Sequence, residues 1–159
     1  MPIIKDNWRF SNEEVKLITK VIKSGESSSM TGSANKIFED SFAKKVGAKY
    51  AIAFNSGTST LHAALHSLDV GYGDEVIVPA LTVIADLNVI IARNAIPIFA
   101  DVDPYTFNID PNDIENKITN KTKAIIVVPL YGLPCEYDKI KRISKKYGVK
   151  VINDAAQAP

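Results

Sequence analysis

From Lys49 onward, apolar runs of five or six residues alternate with stretches of helical periodicity, and no feature of this sequence restricts its fold more. The runs are YAIAF (50–54), EVIVP (75–79), IPIFA (96–100), KAIIVV (123–128) and VKVIN (149–153), each read as a strand. Between them, helices are expected at STLHAALHSL (59–68), ALTVIADLNVIIARN (80–94), PNDIENKI (111–118) and YDKIKRISKKY (137–147). The third helix carries its own start signal, Asp110 as N-cap followed by Pro111. Strands that alternate with helices need right-handed crossovers, so the expected fold class is α/β, a mostly parallel sheet with helices on both faces. Such sheets bind ligands outside the carboxyl ends of their strands, which makes the segment after each strand the place to look for chemistry.

Residues 1–47 follow a different pattern. SNEEVKLITKVIKSG opens on Ser11 with Glu14 three residues later, a capping box, and stops at Gly25, while Val15, Ile18, Val21 and Ile22 share one helical face. SSSMTGSAN reads as a loop, and KIFEDSFAKKVG as a second helix with Ile37, Phe38, Phe42 and Val46 on its apolar side.

Composition removes several function classes. With 19 basic and 18 acidic residues the formal charge is +1, which offers no electrostatic footprint for nucleic acid or an anionic membrane. A single cysteine, Cys135, excludes an internal disulfide and a multi-thiolate metal site and suits a reducing compartment. MPIIKDNWRF lacks the apolar region of a signal peptide, and no window reaches the ~20 apolar residues of a membrane span. The expectation is a soluble, cytoplasmic protein without nucleic-acid or membrane partners.

Two segments at strand ends carry chemistry. Asn55, Ser56, Gly57, Thr58 and Ser59 lead a strand into a helix with small residues, hydroxyls and free N–H groups at the positive end of the helix dipole, a phosphate cradle or a plain turn and cap. Neither a Walker loop nor a three-glycine dinucleotide fingerprint is present. The last strand delivers Asp154, with no basic residue beside it in the sequence. A buried carboxylate needs a cationic or donating partner, and a protonated pyridine nitrogen would serve, as aspartates do for pyridoxal phosphate (PLP); alternatively Asp154 caps a helix at AAQAP. Among weaker signals, His62 and His66 stand four apart without an evident third metal ligand. Lys139, Lys141, Arg142, Lys145, Lys146 and Lys150 read as a solvated face rather than a polyanion site, and no base is placed for Cys135 as a nucleophile. Tyr131 and Gly132 follow the fourth run, as a plain turn or as part of a site.

FNSGTSTLHAAL, GYGDEVIVPALTVIADLNVI, PIFADVDPYTFNIDP, KAIIVVPLYGLP and VKVINDAAQA, in this order, resemble the N-terminal half of the DegT/StrS family of PLP-dependent nucleotide-sugar aminotransferases. The resemblance covers essentially the whole chain. It implies the large domain of a fold-type I PLP-transferase, three layers deep, here with five strands of a mixed sheet that normally has seven. Residues 1–47 would be an N-terminal helical segment and 48–159 an incomplete PLP-binding large domain. By motif match, Gly57, Thr58 and Ser59 would hold the phosphate of pyridoxal 5'-phosphate, Asp154 would pair with the ring nitrogen, and Gln157 would approach the phenolic oxygen. Where the family usually places an aromatic ring against the cofactor, this chain has Val83.

The family's Schiff-base lysine lies beyond the block matched by DAAQA, and none of the lysines present occupies its position, so no catalytic residue is assigned. The resemblance therefore implies an N-terminal fragment, not active alone, of an enzyme that aminates a nucleotide-linked keto-sugar in amino-sugar and polysaccharide biosynthesis. Glutamate is the implied amino donor and a homodimer the implied assembly. A sugar dehydratase of the same family, with histidine in place of the lysine, and a non-catalytic remnant or interaction subunit are the alternatives.

Overall fold

The computed structural model describes residues 10–26, 28–30 and 32–158; most of the opening MPIIKDNWRF lies outside them. The chain forms two compact units, one ending at Ala53 and the other beginning at Phe54.

In the second unit, four of the five apolar runs are strands: β1 (Glu75–Pro79), β2 (Ile96–Ala100), β3 (Thr122–Val127) and β4 (Lys150–Asn153). All pair in parallel, in the spatial order β2-β1-β3-β4. The chain leaves β1 to one side for β2, then crosses back to the other side for β3 and β4. The order reverses between β1 and β3, and the crevice outside the carboxyl ends at such a reversal is where open α/β sheets take their ligands.

Residues 50–54 correct the sequence reading, for they are not a strand. An extended run becomes one only when a neighbour takes its N–H and C=O groups. Among the described residues no strand pairs with 50–54, and Tyr50 and Ile52 stay exposed. The expected five-stranded mixed sheet is thus four-stranded and wholly parallel among the described residues.

The strands alternate their side chains between two helical layers. Val76, Val78, Ala124 and Ile126 pack with Leu61 and Leu65 of α3 (Gly57–Ser67) and Val89 and Ile90 of α4 (Ile84–Ala92). On the opposite face Ile77, Ile125 and Val127 pack with Ile114 of α5 (Pro111–Lys117) and Ile140 and Ile143 of α6 (Tyr137–Tyr147). Burying each such aliphatic side chain contributes about 1.5–3 kcal/mol, so these two faces supply the main hydrophobic stabilisation of the sheet. The N-cap at Asp110 forms as expected, its side chain accepting the Asn112 N–H. Helix α4 is shorter than its apolar pattern suggests: Ala80–Val83 stay non-helical, and the Ala80 N–H bonds the Ala100 carbonyl, 2.8 Å away, continuing the β1–β2 pairing.

The first unit holds the first two helices of the chain, α1 (Asn12–Ser24) and α2 (Ser33–Val46). The first has the anticipated capping box between Ser11 and Glu14 and ends at Gly25 in the left-handed conformation, φ 73°. The second begins earlier than expected, inside the stretch read as a loop, with Gly32 as its N-cap. A Cβ on Gly32 would stand 2.4 Å from the Glu26 carbonyl oxygen, so a side chain there is excluded.

Candidate functional site

Helix α3 packs on the sheet and delivers the chain, through Val70, to the start of β1, so it runs antiparallel to the strands and its N-terminus lies at their carboxyl edge. Ser56 is the N-cap, its Oγ accepting the Ser59 N–H at 3.1 Å. That cap uses one N–H of the first turn and leaves those of Gly57 and Thr58, which have no intrahelical acceptor, pointing off the helix end. Gly57 and Thr58 are exposed and Ser59 half-buried. Nothing lies within 4 Å of the position a Gly57 Cβ would take, so internal packing does not call for glycine there and the space beside it is open. Free N–H groups at a helix N-terminus are a favourable setting for an anion.

Val83 follows β1 as the N-cap of α4 and is half-exposed. After β3 the chain turns through Tyr131, which is solvent-exposed and held at φ 55°, a conformation non-glycine residues seldom adopt. The turn is fixed from behind by Asn108, which is 5% exposed. Its Oδ1 accepts the Leu130 N–H at 3.0 Å, and its Nδ2 donates to the carbonyls of Leu133 and Pro134 at 2.9 and 3.3 Å.

Asp154 stands one residue past β4, its N–H still bonded to the Val127 carbonyl at 2.9 Å, so the sheet itself sets its position. Its Oδ1 accepts the Ala156 N–H at 3.1 Å. Gln157 reaches back to the turn after β3: its Oε1 accepts the Tyr131 N–H at 2.6 Å, which leaves the amide NH₂ as the end with donors to offer. The segments after β1, β3 and β4 therefore come together at the carboxyl edge, around the point where strand order reverses.

Asp86, which the sequence reading left as part of an apolar helix, belongs to this edge. It lies in the first turn of α4 and is completely buried. The Thr82 hydroxyl donates to its Oδ2 at 2.5 Å, while its Oδ1 has no hydrogen-bond partner. Burial pushes the Asp86 carboxyl up to about 6; the Thr82 bond works against that shift and the neighbouring Asp154 carboxylate reinforces it. A signal was available in the sequence, an isolated acid four residues after a threonine inside LTVIADLNVI.

The other singled-out residues do not join the site. Cys135 is buried, and that burial raises its thiol pKa, the opposite of an activated nucleophile. Lys139 pairs with Glu136 at 2.5 Å and Lys146 with Glu115 at 2.6 Å on the exposed side of α6, as a solvated charged face does. Among the described residues, no group of three or more His, Cys, Asp and Glu side chains is arranged to hold a metal ion. No described helix is long and apolar enough to cross a membrane.

The three-layer α/β unit is the fold-type I architecture of the solved aminotransferases that it resembles. The chain belongs to the DegT/DnrJ/EryC1/StrS aminotransferase family, whose sequence model matches residues 9–159. It is 44% identical over 152 residues to dTDP-3-amino-3,6-dideoxy-alpha-D-galactopyranose transaminase of Aneurinibacillus thermoaerophilus, covering 96% of this chain and 41% of that protein. Among solved structures it resembles the aminotransferase from Psychrobacter cryohalolentis, with a TM-score of 0.91 and 41% identity over 94% of this chain and 38% of that one. NtdA from Bacillus subtilis, solved with bound cofactor PMP, matches with a TM-score of 0.87 and 37% identity over 94% of this chain and 35% of that one. The chain thus spans about two fifths of the length of these relatives.

Proposed function

We propose that this chain supplies the cofactor-contacting edge of a PLP-dependent aminotransferase that acts on a nucleotide-linked keto-sugar, with glutamate as amino donor. The observation that carries the reading is the joint position of a free helix N-terminus and the Asp86–Asp154 acids at the carboxyl edge of a parallel sheet. The name of the 44% identical relative, a dTDP-amino-sugar transaminase, supports the substrate class, and the PMP bound to NtdA supports the cofactor.

The residues present fit the cofactor. The open space beside Gly57 and the free N–H groups of the first turn of α3 suit a phosphate, and Asp154, whose carboxyl takes the Ala156 N–H, keeps acceptor capacity for a protonated ring nitrogen. In this reading Gly57, Thr58 and Ser59 hold the phosphate, Asp154 accepts the ring N–H, the NH₂ of Gln157 donates to the phenolic oxygen, and Val83 packs a ring face that an aromatic residue covers elsewhere in the family. When bound, pyridoxal phosphate supplies an electron sink whose strength depends on that protonated nitrogen. Asp154 keeps the proton there by charge, while the turn stapled by Asn108 holds Gln157 in register through Tyr131. The family's Schiff-base lysine is not assigned to any residue of this chain, so residues 1–159 alone are expected to bind the cofactor without turning over, and the working assembly is expected to be a homodimer.

The test uses the protein as its source produces it, with a nucleotide keto-sugar, glutamate and pyridoxal phosphate, and follows the amino-sugar product. Asp154→Ala is expected to abolish turnover and leave the fold intact; near-normal turnover removes Asp154 from its role. Thr58→Val is expected to weaken pyridoxal phosphate retention, and unchanged affinity returns the α3 terminus to a simple cap.

A further inference from the structure

Asp86 is a buried acid with half of its carboxyl group unaccounted for. An acid in the first turn of a helix ordinarily stays ionised by accepting backbone N–H groups. Asp86 accepts none: its single bond is the Thr82 hydroxyl on Oδ2, and Oδ1 is orphaned inside the protein. Leaving a buried ionised oxygen unpaired is costly, and a proton on it removes the cost only if an acceptor lies within reach. The acceptor at hand is Asp154, which follows β4 at the same carboxyl edge and whose carboxyl helps raise the Asp86 pKa.

Other charged groups on the elements packed against α4 are engaged elsewhere or are not among the groups that act on Asp86. Glu75, at the opposite end of β1, accepts the Thr119 hydroxyl, and Arg93, at the far end of α4, donates to the Val70 carbonyl at 2.9 Å. His62 and His66 lie on α3.

We propose that Asp86 is a positioning residue that carries a proton on Oδ1 and donates it as a hydrogen bond to the Asp154 carboxylate, the two acids holding one proton between them. A carboxylate has about four lone-pair sites. Asp154 therefore accepts from Ala156 and Asp86 and still presents lone pairs outward. The arrangement fixes the plane of the Asp154 carboxyl group. The pairing itself requires no ligand; its use in orienting a ring nitrogen rests on the proposed cofactor role of Asp154.

The pair is tested first without pyridoxal phosphate, by following aspartate side-chain ¹³C signals through a pH titration, with Asp86→Asn and Asp154→Asn identifying the two signals. The expected wild-type result is an Asp86 signal with a midpoint near 6 that falls toward the ordinary carboxylate range in Asp154→Asn, because a like charge is removed. An ordinary Asp86 midpoint in the wild type, or a raised one indifferent to Asp154→Asn, overturns the pair. Pyridoxal phosphate affinity then tests positioning. Asp86→Asn retains a donor and is expected to bind within about threefold of wild type, whereas Asp86→Val is expected to lose roughly tenfold or more, the size of one hydrogen bond to a charged group. Equal affinity of the two variants overturns the positioning role. A coupled titration in a protein that binds no pyridoxal phosphate supports the pair and sinks the cofactor reading; the reverse combination sinks the pair alone.

Discussion

The two units handle the same raw material, amphipathic helices, in opposite ways. No residue of the helix Asn12–Ser24 is buried, and in Ser33–Val46 only Ala43 is, although both have well-formed apolar faces. Ile18 and Phe38 remain more than half exposed. In the unit from Phe54 onward, helices of similar length bury their apolar sides on the sheet, and Ile77, Ile125 and Ile126 are inaccessible to solvent. The difference lies in the partner surface, not in the helices. Local signals suffice to start and stop a helix, whereas burial requires a facing layer, here the sheet.

The comparison breaks most visibly in the core. Ile126→Ala is expected to cost about 2–5 kcal/mol in denaturant unfolding, the range for large-to-small changes at fully buried sites. Next comes Asp86. Its carboxyl is raised from an ordinary value of 3.8 to about 6, so the folded state binds more protons than the unfolded state between those values. Its stabilising contribution is complete below pH 3.8 and is lost as pH rises through 6, amounting to about 3 kcal/mol over the window. Asp86→Asn should therefore be more stable than wild type at pH 8 and show a flatter pH dependence between 4 and 6; a stability profile that keeps its slope there contradicts the assignment.

Smaller effects sharpen the contrast. Asn108→Ala, which orphans the Leu130 N–H and frees the turn carrying Tyr131, is expected to cost about 1–3 kcal/mol and to raise hydrogen exchange at residues 130–134. Ser11→Ala should cost the first helix about 1 kcal/mol through its cap, read as a loss of helicity by circular dichroism. Last, Ile18→Ala should change stability by no more than about 0.5 kcal/mol; a loss as large as that of Ile126→Ala would mean that the helix face is buried after all.

Much of the fold was legible because its signals are local. The capping box at Ser11, the Asp110-Pro111 start and the bounds of α6 each depend on a few adjacent residues, and each formed where expected. The two outright misreadings share a cause. YAIAF has strand composition but finds no neighbouring strand, and ALTV has helical periodicity but gives its first N–H to a β2 carbonyl. Whether a run pairs, and with what, is a property of residues far away in the chain.

The site divides along the same line. The small residues at the start of α3, the lone acid after the last strand and the family blocks were readable from residue types in order, because glycine, hydroxyl and carboxylate chemistry is carried by the residues themselves. Asp86 was passed over: at its position in LTVIADLNVI it is merely an acid in a helix. Its significance arises from burial, from a Thr82 hydroxyl that occupies one oxygen, and from Asp154, which lies 68 positions later (154 − 86) and arrives only when β4 pairs with β3. The sequence by itself thus determined where most helices start and stop and which groups are available for chemistry. Only the tertiary structure decided which of those groups meet out of water, since desolvation and charge coupling depend on distances that chain order does not encode.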